Sequence, residues 1–328
     1  MANNNYLEPF KKGRASTEES VREVLQPLVD KIITEREGLS FSPTLRGWCY
    51  LLEGLGVCTK GDFTNVQARI TRARKLGILP LDITAEDGTR CTDGGCWTSG
   101  PLTHLIRDYL YAVPYAYSTC TIEKFTGYHI ELFVEKLDLV GMLSGVTQKY
   151  KIPVTCSRGW SDLHSRAALL KRAAEYSVPT VILLFGDFDV GGLAITDAFK
   201  DNLDSLLKAS GLDAMPELIF RRVGLNFEDI ESLNLTWIDG LETSSGDDLA
   251  NPTHKQHLTK PVQDYLKQYG ARKCEANALL RCPNEAEKIV QTAIDGFIDN
   301  DDLIAYQEQQ LNDRDYAQAE VDALVALL

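Results

Sequence analysis

The chain has 328 residues, 44% of them hydrophobic and 25% charged, with a formal net charge of −13. That is an ordinary globular composition, and the chain is long enough for two domains. No apolar run reaches the ~18 residues of a membrane span, and the opening MANNNYLEPFKKGRAS lacks the apolar stretch of a secretory leader, so a cytoplasmic protein without a membrane partner is expected.

In chain order, Ser16 and Glu19 stand at capping-box spacing. Val21, Val24, Leu25, Leu28, Val29, Ile32 and Ile33 follow as a helical stripe, so a helix is expected over 16–37, bent at Pro27. Ser42-Pro43-Thr44 opens a second helix over 45–52, broken at Gly54 and Gly56. A third is expected over 63–75, stopping at Gly77. Ile78-Leu79-Pro80 and Ile83-Thr84 read as short extended pieces, with turns at Gly88 and Gly94-Gly95. Three helices and a small hairpin make the pattern of a winged helix, a helix-turn-helix variant. Its third helix carries Arg69, Arg72, Arg74 and Lys75. An acidic balance argues against nucleic acid, but a local basic face acts within a Debye length of ~8–10 Å. Those four residues are therefore candidate DNA contacts, beside the plainer reading of a solvated helix face.

From about residue 128, strand and helix alternate. Strands are expected at 130–134, 152–155, 180–185 and 218–223. Helices are expected up to 143, over 162–174 and over 193–207, which makes a mainly parallel α/β sheet. Residues 241–257 are polar and loop-like, and the tail reads as helices over 260–268, 285–298 and 303–327. Eight cysteines show no paired zinc spacing and read as reduced thiols.

The chemistry gathers at strand ends. The run 180–185 stops at Gly186, and Asp187-Phe188-Asp189 follows before Gly191-Gly192 open a helix. Glu135-Lys136 follows the first strand, and Arg158-Gly159-Trp160-Ser161-Asp162 the second, with Arg166 one turn on. In a parallel sheet these tips share one edge, where ligands bind. Glu135, Asp187 and Asp189 are expected to hold one or two Mg²⁺, because crowded carboxylates need a hard cation. Lys136 and Arg166 would face phosphate oxygens. Alone, Glu135 is also an ordinary cap and Asp187-Phe188-Asp189 an ordinary loop. The phosphatase nucleophile motif is a rival for the latter, but Gly191 stands where that motif has threonine.

Glu135 on one strand and Asp187-Phe188-Asp189 on another resemble a toprim domain, the metal-binding module of topoisomerases and primases. Gly159 to Asp162 with Ser165-Arg166, Asp187 to Gly192, and Lys273-Cys274-Glu275-Ala276 resemble blocks of the topoisomerase VI A subunit family, which includes the meiotic double-strand-break transesterase. Arg46-Gly47-Trp48-Cys49-Tyr50 is similar to that family's nucleophile pattern. Cys49, Ser161 and Val190 depart from it, and relatives without a B subunit, sometimes called Mini-A, look closest. The resemblance implies an arm and helix over 1–37, a winged helix over 38–115 carrying Tyr50, and a toprim domain with a helical extension over 116–328. It implies a nucleoid-associated type IIB topoisomerase-like enzyme acting on double-stranded DNA. Tyr50 would form a 5′-phosphotyrosyl bond, assisted by Arg46, with Gly159, Asp162, Gly192 and Glu275 in support. It also implies a homodimer in which each tyrosine meets the other chain's pocket, and strand passage would need a separate B-like ATPase subunit. A hydrolytic toprim nuclease and a non-cleaving DNA-binding homologue remain alternatives.

Overall fold

The computed structural model describes residues 6–10, 17–85, 101–157, 163–210, 217–243 and 246–327. Helix α1 (Glu18–Glu37) starts at Thr17, whose side chain accepts the Ser20 N–H at 3.2 Å. The cap is therefore Thr17 and not Ser16, one residue later than the capping-box spacing predicts. Helix α2 (Leu45–Gly54) is capped by Thr44, which accepts the Gly47 N–H at 3.0 Å. Helix α3 (Phe63–Lys75) ends just before Gly77, which takes a left-handed φ of +69° that other residues resist. Leu28 and Ile32 of α1, Trp48 and Leu52 of α2, and Val66 and Ile70 of α3 are buried in one core.

The expected wing is not confirmed. Residues 78–84 form no strand, and a 3-10 turn, Leu81–Ile83, stands there. The Trp48 indole N–H donates to the Ile83 carbonyl at 2.7 Å and holds that turn on α2. Gly88, Gly94 and Gly95 lie outside the described residues. Helix α4 (Leu102–Ala116) and the short α5 (Glu123–Thr126) lead into the sheet.

The sheet has four strands: β1 (His129–Val134), β2 (Val154–Cys156), β3 (Thr180–Phe185) and β4 (Leu218–Gly224). They are parallel in the order β2-β1-β3-β4. Helices α6 (Leu137–Met142) and α7 (Ser144–Lys149) join β1 to β2, α8 (Leu163–Glu175) joins β2 to β3, and α9 (Val190–Ser210) joins β3 to β4. Phe133, Ile182 and Leu184 point to one face and pack with Leu169 and Phe199 of α8 and α9. Leu132, Val134, Leu183 and Phe185 point to the other and join the core shared with the N-terminal helices. Strand order reverses between β1 and β3, which makes their carboxyl ends the natural ligand crevice.

At the opposite end of β1 lies a buried ionic network. His129 Nδ1 is 2.7 Å from Glu123 Oε1, and its Nε2 is 3.0 Å from Glu131 Oε1. Arg172 grips Glu131 with two hydrogen bonds of 2.8 and 2.7 Å. Each buried charge thus has a partner, the condition for tolerating it inside a core.

The remaining chain forms α10 (Phe227–Ser232), β5 (Ile238–Asp239), α11 (Lys260–Tyr269), β6 (Arg272–Lys273), α12 (Pro283–Asp295) and α13 (Asn300–Val325). Strand β6 pairs antiparallel with β5, and α4 packs along α13. No described helix is long and apolar enough to cross a membrane.

Candidate metal and tyrosine site

Two acidic tips meet at the reversal point. Val134 and Phe185 are register partners, so the next residues of β1 and β3 emerge side by side. The Glu135 N–H donates to the Phe185 carbonyl at 3.0 Å. Glu135 Oε2 in turn accepts the Asp187 N–H at 3.1 Å. Lys136 Nζ bridges the two acids, 3.1 Å from Glu135 Oε1 and 2.8 Å from Asp187 Oδ2. Asp187 Oδ1 accepts the Ala276 N–H at 2.8 Å. Burial, with the like charge of Glu135, pushes the Asp187 carboxyl up to about 7. Burial works against the Lys136 charge, but Asp187 and Glu135 outweigh it and hold the ammonium above its ordinary range.

The turn after β3 is clamped. Asp189 Oδ1 accepts the Gly192 N–H at 2.6 Å and caps α9. Gly192 has no room for a side chain, since a Cβ there would stand 2.0 Å from the Asp187 carbonyl oxygen. Phe188 is buried among Trp237, Tyr265 and Tyr269. Its backbone exchanges two hydrogen bonds with Cys274, of 2.8 and 3.0 Å. That exchange brings residues 272–276 onto the acidic turn. Arg222 of β4 lies behind it, donating to the carbonyls of Gly192 at 2.5 Å, Asp187 at 2.9 Å and Leu225 at 2.8 Å.

The tyrosine reaches the same place. Arg46 and Tyr50 stand one turn apart on α2. The Tyr50 hydroxyl donates to the Glu275 carboxylate and accepts from an Arg46 N–H at 3.3 Å. Lys60 Nζ is 3.8 Å from Glu275 Oε1 and 5.4 Å from the Tyr50 ring centre. Burial pushes the Tyr50 hydroxyl well above its ordinary range, and the Glu275 charge pushes the same way. Burial opposes the Glu275 charge, but the Tyr50 hydroxyl, Lys60, Lys136 and Arg46 outweigh it and hold that carboxyl below its usual range. Two consecutive residues therefore link the tyrosine to the acids: Glu275 takes the Tyr50 hydroxyl, and Ala276 donates to Asp187. Tyr50 is 4% exposed and packs edge-on against Phe63. The resemblance implies a tyrosine offered to a partner chain, whereas this hydroxyl is held by its own chain.

The donor chemistry suits a hard divalent cation, with two carboxylates at adjacent strand tips and a third on the following turn. The three are not gathered as a ready cage, however. Among the described residues no group of three or more His, Cys, Asp or Glu side chains stands close enough to hold an ion. Asp189 turns back onto α9, and Lys136 fills the position between the other two.

The basic residues divide. Arg72 and Lys75 are exposed, in a shallow groove of about 500 Å³ with Leu45, Thr64, Gln67, Ala68 and Thr71. Arg69, expected on the DNA face, is 2% exposed, with its guanidinium stacked on Phe10 at 4.6 Å and its Nε–H donating to Asn65. Phe10 also lies 4.8 Å from Arg72, so the N-terminal arm covers part of this face. Arg74 is spent on the 3-10 turn, donating to the Leu81 carbonyl at 2.6 Å. Arg166, expected at a phosphate, is buried with its guanidinium over the Phe199 ring at 5.3 Å. Gly159 and Asp162 lie outside the described residues.

No family model, curated protein or solved structure matches the chain. The functional reading therefore rests on the geometry and on the residue pattern. Sequence reasoning missed Lys60 and Arg222. Arg222 left a signal, one of two adjacent arginines inside a short apolar strand, and Lys60 left none.

Proposed function

We propose that the chain is a metal-dependent DNA transesterase of the topoisomerase VI A type, with Tyr50 as nucleophile. One observation carries this reading: the Tyr50 hydroxyl and the Asp187 carboxylate are joined through adjacent residues of one segment, Glu275 and Ala276. In the reaction, Tyr50 Oη attacks phosphorus and the P–O3′ bond breaks. The tyrosine proton passes to Glu275, already its hydrogen-bond acceptor, and a proton finally goes to the departing 3′-oxygen. The product is a 5′-phosphotyrosyl ester. Arg46, hydrogen-bonded to the same hydroxyl, steadies the phenolate as it forms. Glu135 and Asp187 would hold Mg²⁺ only once Lys136 leaves them, and Asp189 only once it leaves the Gly192 N–H; the ion would supply charge stabilisation at the phosphate. Two chains would act on the two strands of a duplex, and strand passage would require a separate ATPase.

The test uses supercoiled plasmid, Mg²⁺ and the full chain, followed by detergent and protease. Protein-linked 5′ ends that vanish in Tyr50→Phe support the proposal. Cleavage with free 5′ ends, insensitive to that substitution, refutes it in favour of hydrolysis by water. The burial and double engagement of Tyr50 favour that second reading, which leaves the tyrosine a structural role. Metal-independent duplex binding without cleavage would leave only a DNA-binding homologue.

A further inference from the structure

Helix α4 is apolar on the side it turns to water. Only Pro114 of this helix is buried, although α13 runs alongside it. Leu102, Ile106, Tyr109 and Val113 are 68, 37, 71 and 43% exposed. They stand four, three and four residues apart, so they form one stripe along the helix. Thr103, Leu105, Leu110 and Ala112 flank the stripe, and Arg107 and Asp108 fall off it on the helical wheel. A surface helix ordinarily turns its polar side outward, and a contiguous apolar stripe in water marks a contact surface.

We propose that this stripe is the contact of a two-fold dimer, in which α4 packs antiparallel on α4 of a second copy of the chain. The spacing of four, three and four reads the same from either end. A two-fold axis crossing the helix between Arg107 and Asp108 therefore sets Leu102 against Val113 of the second copy, and Ile106 against Tyr109. Alternating steps of three and four are also the seam of two helices packed side by side. Charge argues against other occupants. Beside α4, α13 carries Glu308, Asp315, Glu320 and Asp322 against one basic residue, Arg314. Nucleic acid and anionic lipid are repelled from such a hairpin. The chain's own segment 86–100, next to α4 but outside the described residues, offers Trp97 as its one large apolar side chain, too little to cover four. The inference uses neither the metal nor Tyr50, and it gives the two chains of the proposed function a surface on which to meet. The seam is about four turns long, well short of the ~800 Å² per partner of a tight complex, so a dissociation constant of about 10 μM is expected.

The experiment uses the full chain without DNA or metal. Sedimentation velocity from about 1 to 200 μM should show a reversible monomer–dimer equilibrium. Raising NaCl from about 0.1 to 0.5 M should tighten it, because the seam is uncharged and the two chains repel each other. Tyr109→Glu places a charge in the seam at an exposed position that the fold does not need, and should weaken the dimer at least about tenfold. Tyr115→Ser, at an equally exposed residue off the stripe, should leave it unchanged. A photoreactive p-benzoylphenylalanine replacing Tyr109, in an equal mixture of ordinary and ¹⁵N-labelled chains, should join light chains to heavy ones within α4, near Ile106. A monomer at every concentration overturns the proposal. So does a dimer indifferent to Tyr109→Glu, which would meet on another surface. Cross-links confined to single chains and ending in residues 86–100 overturn it too, and would show that the chain covers its own stripe.

Discussion

Asp187→Asn should make the metal-free protein more stable at neutral pH, although it removes a proposed ligand. Burial and the neighbouring Glu135 charge raise this carboxyl from its ordinary 3.8 to about 7. The unfolded chain releases the proton near the ordinary value, while the folded chain keeps it until the raised one. Folding therefore takes up a proton in that window. The contribution of Asp187 to wild-type stability therefore falls as pH rises from about 4 to 7 and is flat above. Roughly three units at about 1.36 kcal/mol each give ~4 kcal/mol as an upper bound. The attraction of Lys136 is already included in that raised value, so only the difference between a protonated carboxyl and an amide remains to be taken off, about 1–2 kcal/mol. Asparagine keeps an oxygen for the Ala276 N–H. The variant should thus match or trail the wild type near pH 4 and exceed it by about 2 kcal/mol near pH 8. Urea unfolding in EDTA across this range measures the gap. A variant less stable at every pH, or a gap that ignores pH, would refute the reasoning. Either result would mean that Lys136 satisfies an ionised Asp187. Restoring Mg²⁺ reverses the order, since ligand at a hundredfold excess over its Kd adds ~2.7 kcal/mol to the form that binds it.

Tyr50→Phe should abolish 5′-linked adducts and cost about 1–3 kcal/mol of stability, because Glu275 loses a hydrogen bond in a half-buried place; an unchanged urea midpoint would show that the hydroxyl contributes nothing to the fold. Phe10→Ala should uncover Arg69, tighten duplex binding and steepen its salt dependence by about one phosphate contact, read from log K against log salt. Unchanged binding would remove the arm from the DNA face. Arg172→Met should cost about 3–5 kcal/mol, because it leaves Glu131, fully buried, without its two strongest bonds. The double variant Arg172→Met, Glu131→Leu should recover most of that loss in the same urea assay.

Much of the sheet was legible because buried parallel strands are short apolar runs with abrupt ends. Thr180–Phe185 is found at its expected bounds, and Gly186 marks where the run stops. The neighbourhood of Glu135 and Asp187 follows from parallel pairing alone, since adjacent parallel strands end on the same side. Helix α4 was not read, although Leu102, Leu105, Ile106, Tyr109, Leu110 and Val113 recur at helical spacing, a stripe the sequence did contain. Arg69 was assigned to the surface on its charge, yet it shares the inward stripe of Val66, Ile70 and Ala73, a signal the spacing did contain. The tyrosine–Glu275 bond joins residues far apart in the chain, and no local pattern encodes such a pairing. The same holds for Lys136, whose place between two acids depends on how side chains share a crowded edge.

The two-way backbone exchange between Phe188 and Cys274 welds the acidic turn and the Glu275 segment into one block. Any rearrangement that carries Tyr50 towards a second chain must therefore come from α2. The N-terminus of that helix is fastened by Asp138, which accepts the Thr44 N–H at 2.6 Å and its hydroxyl at 2.8 Å. On the proposed reading, part of the hold on Tyr50 is thus a carboxylate on α6, outside the acidic turn. Weakening that contact would loosen α2 without altering Arg46, Tyr50 or any acid of the turn.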